Sequence, residues 1–240
     1  MIGGFIITGN TSKKVIVRGV GPSLRGAGLT DVIDDPTLQL FGTGGQIAFN
    51  DDWRDLQETE IEDSQIAPSD DREPAIVATL SPAPYTAVIS GKNGQTGVGL
   101  LEVYDLNAPS SRLANISTRG SVLTQDNVMI GGFILGGTIT QPARVVVRAI
   151  GPSLAQSGIS GPLANPTLEL VNEAGQSVGF NDDWQDDPAQ AAELQALNIA
   201  PTAATESALV TILPPGAYTA IVAGQSGTTG VGLIEVYDVQ

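Results

Sequence analysis

Short apolar runs, broken at close intervals by glycine and proline, set the pattern of this chain. Leu38 and Leu40 alternate with Thr37 and Gln39, and Leu168 and Leu170 with Thr167 and Glu169, as a strand with one solvated face requires. Val15-Ile-Val and Val145-Val-Val are β-branched runs suited to central strands. In the first half the pattern predicts about seven strands, near 2–8, 14–19, 37–42, 46–50, 74–80, 84–91 and 97–105. Glycine-containing turns at 42–45, 91–97 and 224–230 separate the runs. One helix is predicted after each tryptophan. In the second half Asp187 can cap it, Pro188 can take its first position, and Pro201 ends the segment. The first half's equivalent, beginning at Leu56, is more acidic.

The pattern is written twice. Ile2-Gly-Gly-Phe-Ile corresponds to Ile130-Gly-Gly-Phe-Ile, Gly21-Pro-Ser-Leu to Gly151-Pro-Ser-Leu, and Phe49-Asn-Asp-Asp-Trp53 to Phe180-Asn-Asp-Asp-Trp184. Thr96-Gly-Val-Gly-Leu and Glu102-Val-Tyr-Asp recur at Thr229 and Glu235. Short strands without long intervening helices predict an all-β fold: two tandem antiparallel β-sandwich, jelly-roll-like domains, each with a short helix after the Asn-Asp-Asp-Trp turn. The expected division is 1–107 for the first repeat, 108–128 for a linking segment and 129–240 for the second repeat. The first four residues of the link have linker composition, whereas Leu113, Ile116, Val122 and Leu123 give it strand character and make it a candidate assembly contact. If this segment completes the second domain, the first lacks its equivalent here, and the missing strand could have been cut away with an upstream region or could be supplied by another subunit.

Composition narrows the function. Eleven basic against twenty-six acidic residues give a net charge of −15, which argues against a nucleic-acid partner. The absence of cysteine removes disulfides and thiolate chemistry, and the absence of histidine removes the usual general base and every Ser-His-Asp arrangement. Paired acids alone are weak grounds for a hydrolase. No apolar stretch is long enough to cross a bilayer. Met129 opens the same phrase as Met1, so residue 1 is not expected to be a natural start, and no signal segment is expected within this chain.

Two constellations carry candidate chemistry. Asn50, Asp51 and Asp52, with Asn181, Asp182 and Asp183, offer hard oxygen ligands suited to calcium, outside any EF-hand spacing. The alternative is structural: Asn and Asp hold turn amides while Phe and Trp53 or Trp184 plug the core below. Arg18 and Arg148 each close a Val-rich strand, and a structural ion pair is favoured over a ligand clamp. Their candidate partners are Asp51, Asp52 or Glu102, and Asp182, Asp183 or Glu235. Gly19-Val-Gly-Pro-Ser-Leu lacks the third glycine and the long helix of a dinucleotide fingerprint, which leaves a turn. Asn10-Thr-Ser and Asn115-Ile-Ser match the short N-glycosylation pattern.

The order Pro-Thr-Leu, Asn-Asp-Asp, Glu-Ser-Ala or Glu-Pro-Ala, Gly-Ala-Tyr-Thr-Ala and Thr-Gly-Val-Gly-Leu-x-Glu-Val-Tyr-Asp resembles the bacterial pre-peptidase C-terminal family of β-sandwich modules. With Ser-Arg-Leu-Ala-Asn-Ile-Ser-Thr-Arg-Gly, it is similar to tandem modules of large bacterial cell-surface and secreted proteins. Pro84 departs from the pattern that Gly216 keeps. The resemblance implies a non-catalytic exported accessory domain, sometimes calcium-binding; the expectation favoured here is an extracellular structural module for surface display or self-assembly, with copies of itself or neighbouring domains of a larger protein as partners. Calcium at Asp51, Asp52, Asp182 and Asp183, and a carbohydrate or surface ligand, are the alternative it leaves open.

Overall fold

The computed structural model describes residues 1–106, 111–125, 127–136 and 141–239. The expected linker residues 108–110 lie outside the described residues. The chain is mostly β, with fifteen strands among the described residues, and divides into two compact units, Met1–Ala114 and Asn115–Gln240.

The first unit contains β1 (Ile2–Thr8), β2 (Lys13–Val20), β3 (Pro36–Gly42), β4 (Gly45–Asn50), β5 (Ala75–Leu80), β6 (Ala83–Gly91) and β7 (Leu100–Asp105). Its strands pair antiparallel in the orders β1-β6-β3-β4 and β5-β2-β7. The helix α1 (Glu58–Asp63) follows Trp53. Inward residues Phe5, Ile7, Val15, Val17, Leu38, Leu40 and Ile76 form one core. Phe5 stacks on Tyr85 within it, ring centroids 5.5 Å apart. A second, smaller core lies on the other face of β2 and β5, where Ile16, Val77, Trp53 and Ile61 of α1 meet. Ile16 therefore packs on the opposite face from Val15 and Val17, as the two-residue period of a strand requires.

The second unit contains β9 (Met129–Leu135), β10 (Ala143–Ile150), β11 (Pro166–Asn172), β12 (Ser177–Asn181), β13 (Ser207–Leu213), β14 (Gly216–Gly224) and β15 (Gly230–Asp238), with α2 (Pro188–Ala196) between β12 and β13. Asp187 caps α2 by accepting from the Ala189 and Gln190 amides, and Pro188 opens it. This unit has an eighth strand. In β8 (Arg112–Val122) the boundary between units falls after Ala114, and Asn115–Val122 pairs antiparallel with β15, from Asn115 opposite Tyr237 to Val122 opposite Gly230. The orders β12-β11-β14-β9 and β13-β10-β15-β8, with the chain changing sheet at nearly every connection, are those of a jelly roll. Among the described residues the first unit has the same orders, with no strand beside β7 to correspond to β8.

Candidate functional site

Each Asn-Asp-Asp-Trp turn is fixed by its asparagine. Asn50 is buried; its Oδ1 accepts from the Ala75 amide at 2.9 Å and its Nδ2 donates to the Asp52 carbonyl at 3.0 Å. Asn181 does the same with Ala208 and Asp183. Both ends of each asparagine amide are thus engaged in holding the turn, and the turn oxygens left without a hydrogen-bond partner are those of the aspartates. Trp53 and Trp184 are buried under α1 and α2, as a core plug should be. The phenylalanines are not: Phe49 is 47% exposed and Phe180 62% exposed, because each lies on the opposite strand face from its buried asparagine neighbour.

The turn brings Asp51 and Asp52 to Asp35, with one carboxylate oxygen of each within 4.8 Å of the others. Lys92 reaches Asp51 at 2.5 Å and Asp35 at 3.6 Å. In the second unit the corresponding residues are Asn165, Asp182, Asp183 and Gln225, whose Nε2 donates to Asp182 at 2.6 Å. Three carboxylates and one ammonium in the first set, and two carboxylates with neutral amides in the second, leave a charge of −2 in both. In each set three buried Oδ1 atoms have no hydrogen-bond partner: those of Asp35, Asp51 and Asp52, and those of Asn165, Asp182 and Asp183. Burial, then the Asp51 charge, push the Asp52 carboxyl above the ordinary range. Burial, then the Asp183 charge, do the same to Asp182. These oxygens fit calcium in kind, but three side chains fall short of the roughly six to eight ligands it takes, and Lys92 already supplies a cation to the first set. Asp35 and Asn165 gave no sequence signal, since they lie before β3 and β11, far from the turn.

The arginines are engaged in ion pairs. Arg18 Nε donates to Glu102 at 2.9 Å and its Nη1 to the Ile66 carbonyl; Arg148 repeats this with Glu235 and the Ile199 carbonyl. The partners are thus the glutamates directly opposite on β7 and β15, not the turn aspartates. Tyr104 and Tyr237 donate to the same glutamates at 2.8 Å, and burial, then the Glu235 charge, push the Tyr237 hydroxyl up to about 12. Glu73 and Glu206, which sequence patterning did not single out as functional, are fully buried. Glu73 accepts from the Gly21 and Ser23 amides, and Glu206 from those of Gly151 and Ser153. They organise the Gly-Pro-Ser turns in which a nucleotide motif had been excluded. A Cβ at Gly21 or Gly151 would lie 2.2 Å from the Ile33 or Leu163 carbonyl oxygen, which explains the glycine.

The sheet edges differ in how they are protected. On β5, Gln57 donates to the Val77 carbonyl and accepts from the Val77 amide, so a side chain occupies the place of a further strand. Gln190 blocks β13 through Ala208 and Val210. A register shift between Leu40 and Phe41 breaks the β3–β4 ladder. Among the described residues, β7 has no such device. The four residues of the linking segment expected to contact another subunit are mostly spent inside the chain. Leu113 packs on the first core, Ile116 packs on the second, and Val122 is buried in it. Only Leu123 is exposed. From Asn115 to Val122 the segment pairs with β15, and Asn115 of the glycosylation pattern is buried there with its Nδ2 on the Val236 carbonyl.

Between β4 and β5 lies an open cleft of about 850 Å³ lined by Ile47, Phe49, Leu56, Leu80 and Tyr85. It offers apolar contact and ring stacking, with no acid or base of the turn cluster on its wall.

No protein-family model matches the chain, and no curated protein matches it. Among solved structures it is similar to the STIV MCP at 12% identity, covering 98% of this chain and 90% of that one with a TM-score of 0.27. A chain from the atomic structure of Sulfolobus turreted icosahedral virus is 11% identical over 98% and 85%, TM-score 0.28. The major capsid protein of bacteriophage PM2 is 9% identical over 99% and 92%, TM-score 0.23. Likenesses of this order leave the functional reading to the geometry of the chain itself.

Proposed function

We propose that the chain is a non-catalytic structural module of an exported bacterial surface protein, built from tandem jelly-roll sandwiches and assembled through strand edges. The observation that supports this reading is the β7 edge. Among the described residues it has neither a neighbouring strand nor a side chain paired to it in the manner of Gln57 on β5, while the same edge of the second unit is covered by β8. On β9, also an edge strand, Ile130 and Ile134 face solvent and add apolar surface for association. Most of the conspicuous buried charges, Glu73, Glu206 and the two Arg–Glu pairs, are engaged in holding turns and strands together. The sequence resemblance to tandem surface modules agrees with this reading.

Sedimentation velocity and electron microscopy of the full chain across a concentration series test it. Oligomers or fibres that grow with concentration are expected, and a monomer at the highest attainable concentration would refute assembly between copies. A second reading is a calcium-dependent carbohydrate- or surface-binding module, favoured by the unpartnered carboxylate oxygens at Asp51, Asp52, Asp182 and Asp183. A thermal-stability titration with calcium, with magnesium as control, tests that reading, and an unchanged Tm would count against it.

A further inference from the structure

We propose that the outer edge of β7 accepts an extended segment that repeats the pattern of Asn115–Val122, paired antiparallel in the register β8 takes on β15. This rests on the assembly reading and names the occupant of its open edge.

The backbone phase can be derived. The Leu106 amide donates to the Lys14 carbonyl at 2.9 Å, and Val15 lies opposite Asp105. Ile16/Tyr104 and Arg18/Glu102 are then the hydrogen-bonded pairs, and antiparallel alternation turns the N–H and C=O groups of Leu101 and Val103 outward. In the second unit the Val239 amide on the Arg144 carbonyl sets the same phase. Its outward residues are Ile234 and Val236, and they face Thr118 and Ile116 of β8. The side chains tell the same story: Ile234 and Val236 are buried, whereas Leu101 and Val103 are half-buried on an otherwise matching face. The donor strand also pins its register through Asn115 on the Val236 carbonyl at 3.0 Å, and the Val103 carbonyl is the equivalent acceptor.

Copies of this chain cannot satisfy that edge with their own β8. Each carries one strand of the β8 kind and two edges of the β7 and β15 kind, so exchange between copies moves the vacancy without filling it. The occupant is therefore a further strand of the same pattern, one that the described residues do not themselves supply. The sequence that already fits this edge once states its chemistry: Asn for the carbonyl, Ile opposite Val103, Thr opposite Leu101, Gly opposite Gly99 and a closing Val.

The test uses the full chain and a labelled synthetic peptide of residues 111–123, with binding read by fluorescence anisotropy and amide exchange read by NMR. Saturable binding is expected, with slowed exchange at Leu101 and Val103. Val103→Pro removes an outward N–H and no bond to β2, and should weaken binding by roughly tenfold or more. A peptide N-methylated at the position of Ile116 should lose binding to the unaltered chain by a similar factor, which covers the case in which the proline variant fails to fold. Absence of binding, binding indifferent to both changes, or protection confined to other strands would overturn the proposal. Oligomers that persist in Val103→Pro while the peptide fails to bind would overturn it and leave assembly standing. A strictly monomeric chain that binds the peptide would support it and remove assembly between copies.

Discussion

The two units share strand order, turn chemistry and buried ion pairs, and differ at one edge. In the second, the core between the sheets takes in Val122, Met129, Tyr218, Ile234 and Val236. In the first, the corresponding Tyr85, Leu101 and Val103 are only partly buried, and Met1 is 43% exposed where Met129 is 6% exposed. Full burial of a Val, Ile or Met side chain is worth about 1.5–3 kcal/mol, so the described residues give the first unit several kcal/mol less apolar burial than the second. That is a large part of the roughly 5–15 kcal/mol by which a domain is stable. Seven strands suffice to specify the shape, and the eighth supplies a share of the stability. An edge left in this state gains from any strand that fits it.

The sharpest way to break the comparison is to damage the covered edge. Val122→Asp places a charge where the side chain is fully buried against β15, and should destabilise the second unit by more than about 3 kcal/mol. Leu101→Asp on the open edge should cost about 1 kcal/mol, since that carboxylate can turn to water. Calorimetry of the full chain would show the second unit's transition displaced in the first variant and little change in the second. Equal losses would mean that the two edges are not energetically distinct.

Away from the edge the units should respond alike. Arg18→Ala and Arg148→Ala each strand a glutamate that is less than one-fifth exposed, and each should cost about 2–4 kcal/mol, read as a shift in urea midpoint. A smaller difference should appear at the tryptophans. Trp184 Nε1 donates to the Ala203 carbonyl at 3.1 Å, whereas Trp53 Nε1 is buried without a partner. Trp184→Phe should therefore cost about 1 kcal/mol more than Trp53→Phe in the same denaturation measurement.

Much of this was legible in the residues. Val15-Ile-Val, the Leu38/Leu40 alternation and the Asp187-Pro188 cap predict β2, β3 and α2 within one or two positions, because local periodicity and cap chemistry decide them. Three features were not legible. Phe49 and Phe180 read as plugs, yet strand alternation turns them to solvent once Asn50 and Asn181 take the inward positions. Glu73 and Asp35 act through partners distant in sequence, at Gly21 and at Asp51, which only the closed sandwich brings together. Leu113, Ile116 and Val122 showed strand character, but apolar alternation says that a sheet is needed and not which one.

The smallest expected effect lies in the acidic turns. Burial holds the Asp52 and Asp182 carboxyls above their ordinary value of 3.8. The native state therefore keeps a proton that the unfolded chain has already lost. The associated stability is fully present below pH 3.8 and falls away as pH rises through the raised native value, leaving both groups mildly destabilising at neutral pH. Solvent screening limits each to less than about 1 kcal/mol. Asp182→Asn should accordingly raise Tm slightly at pH 7 without divalent ions and flatten the acid slope. If a cation settles on these oxygens, millimolar calcium should raise the parent's Tm and lose that effect in Asp182→Asn. The Lys92 charge already offsets part of the penalty on Asp52, while Gln225 offers the second set no charge, so the response should be larger in the second unit. Lys92→Gln should make the first unit respond as strongly as the second. If it does not, the Lys92 ammonium on Asp51 is not what limits the ion at the first turn.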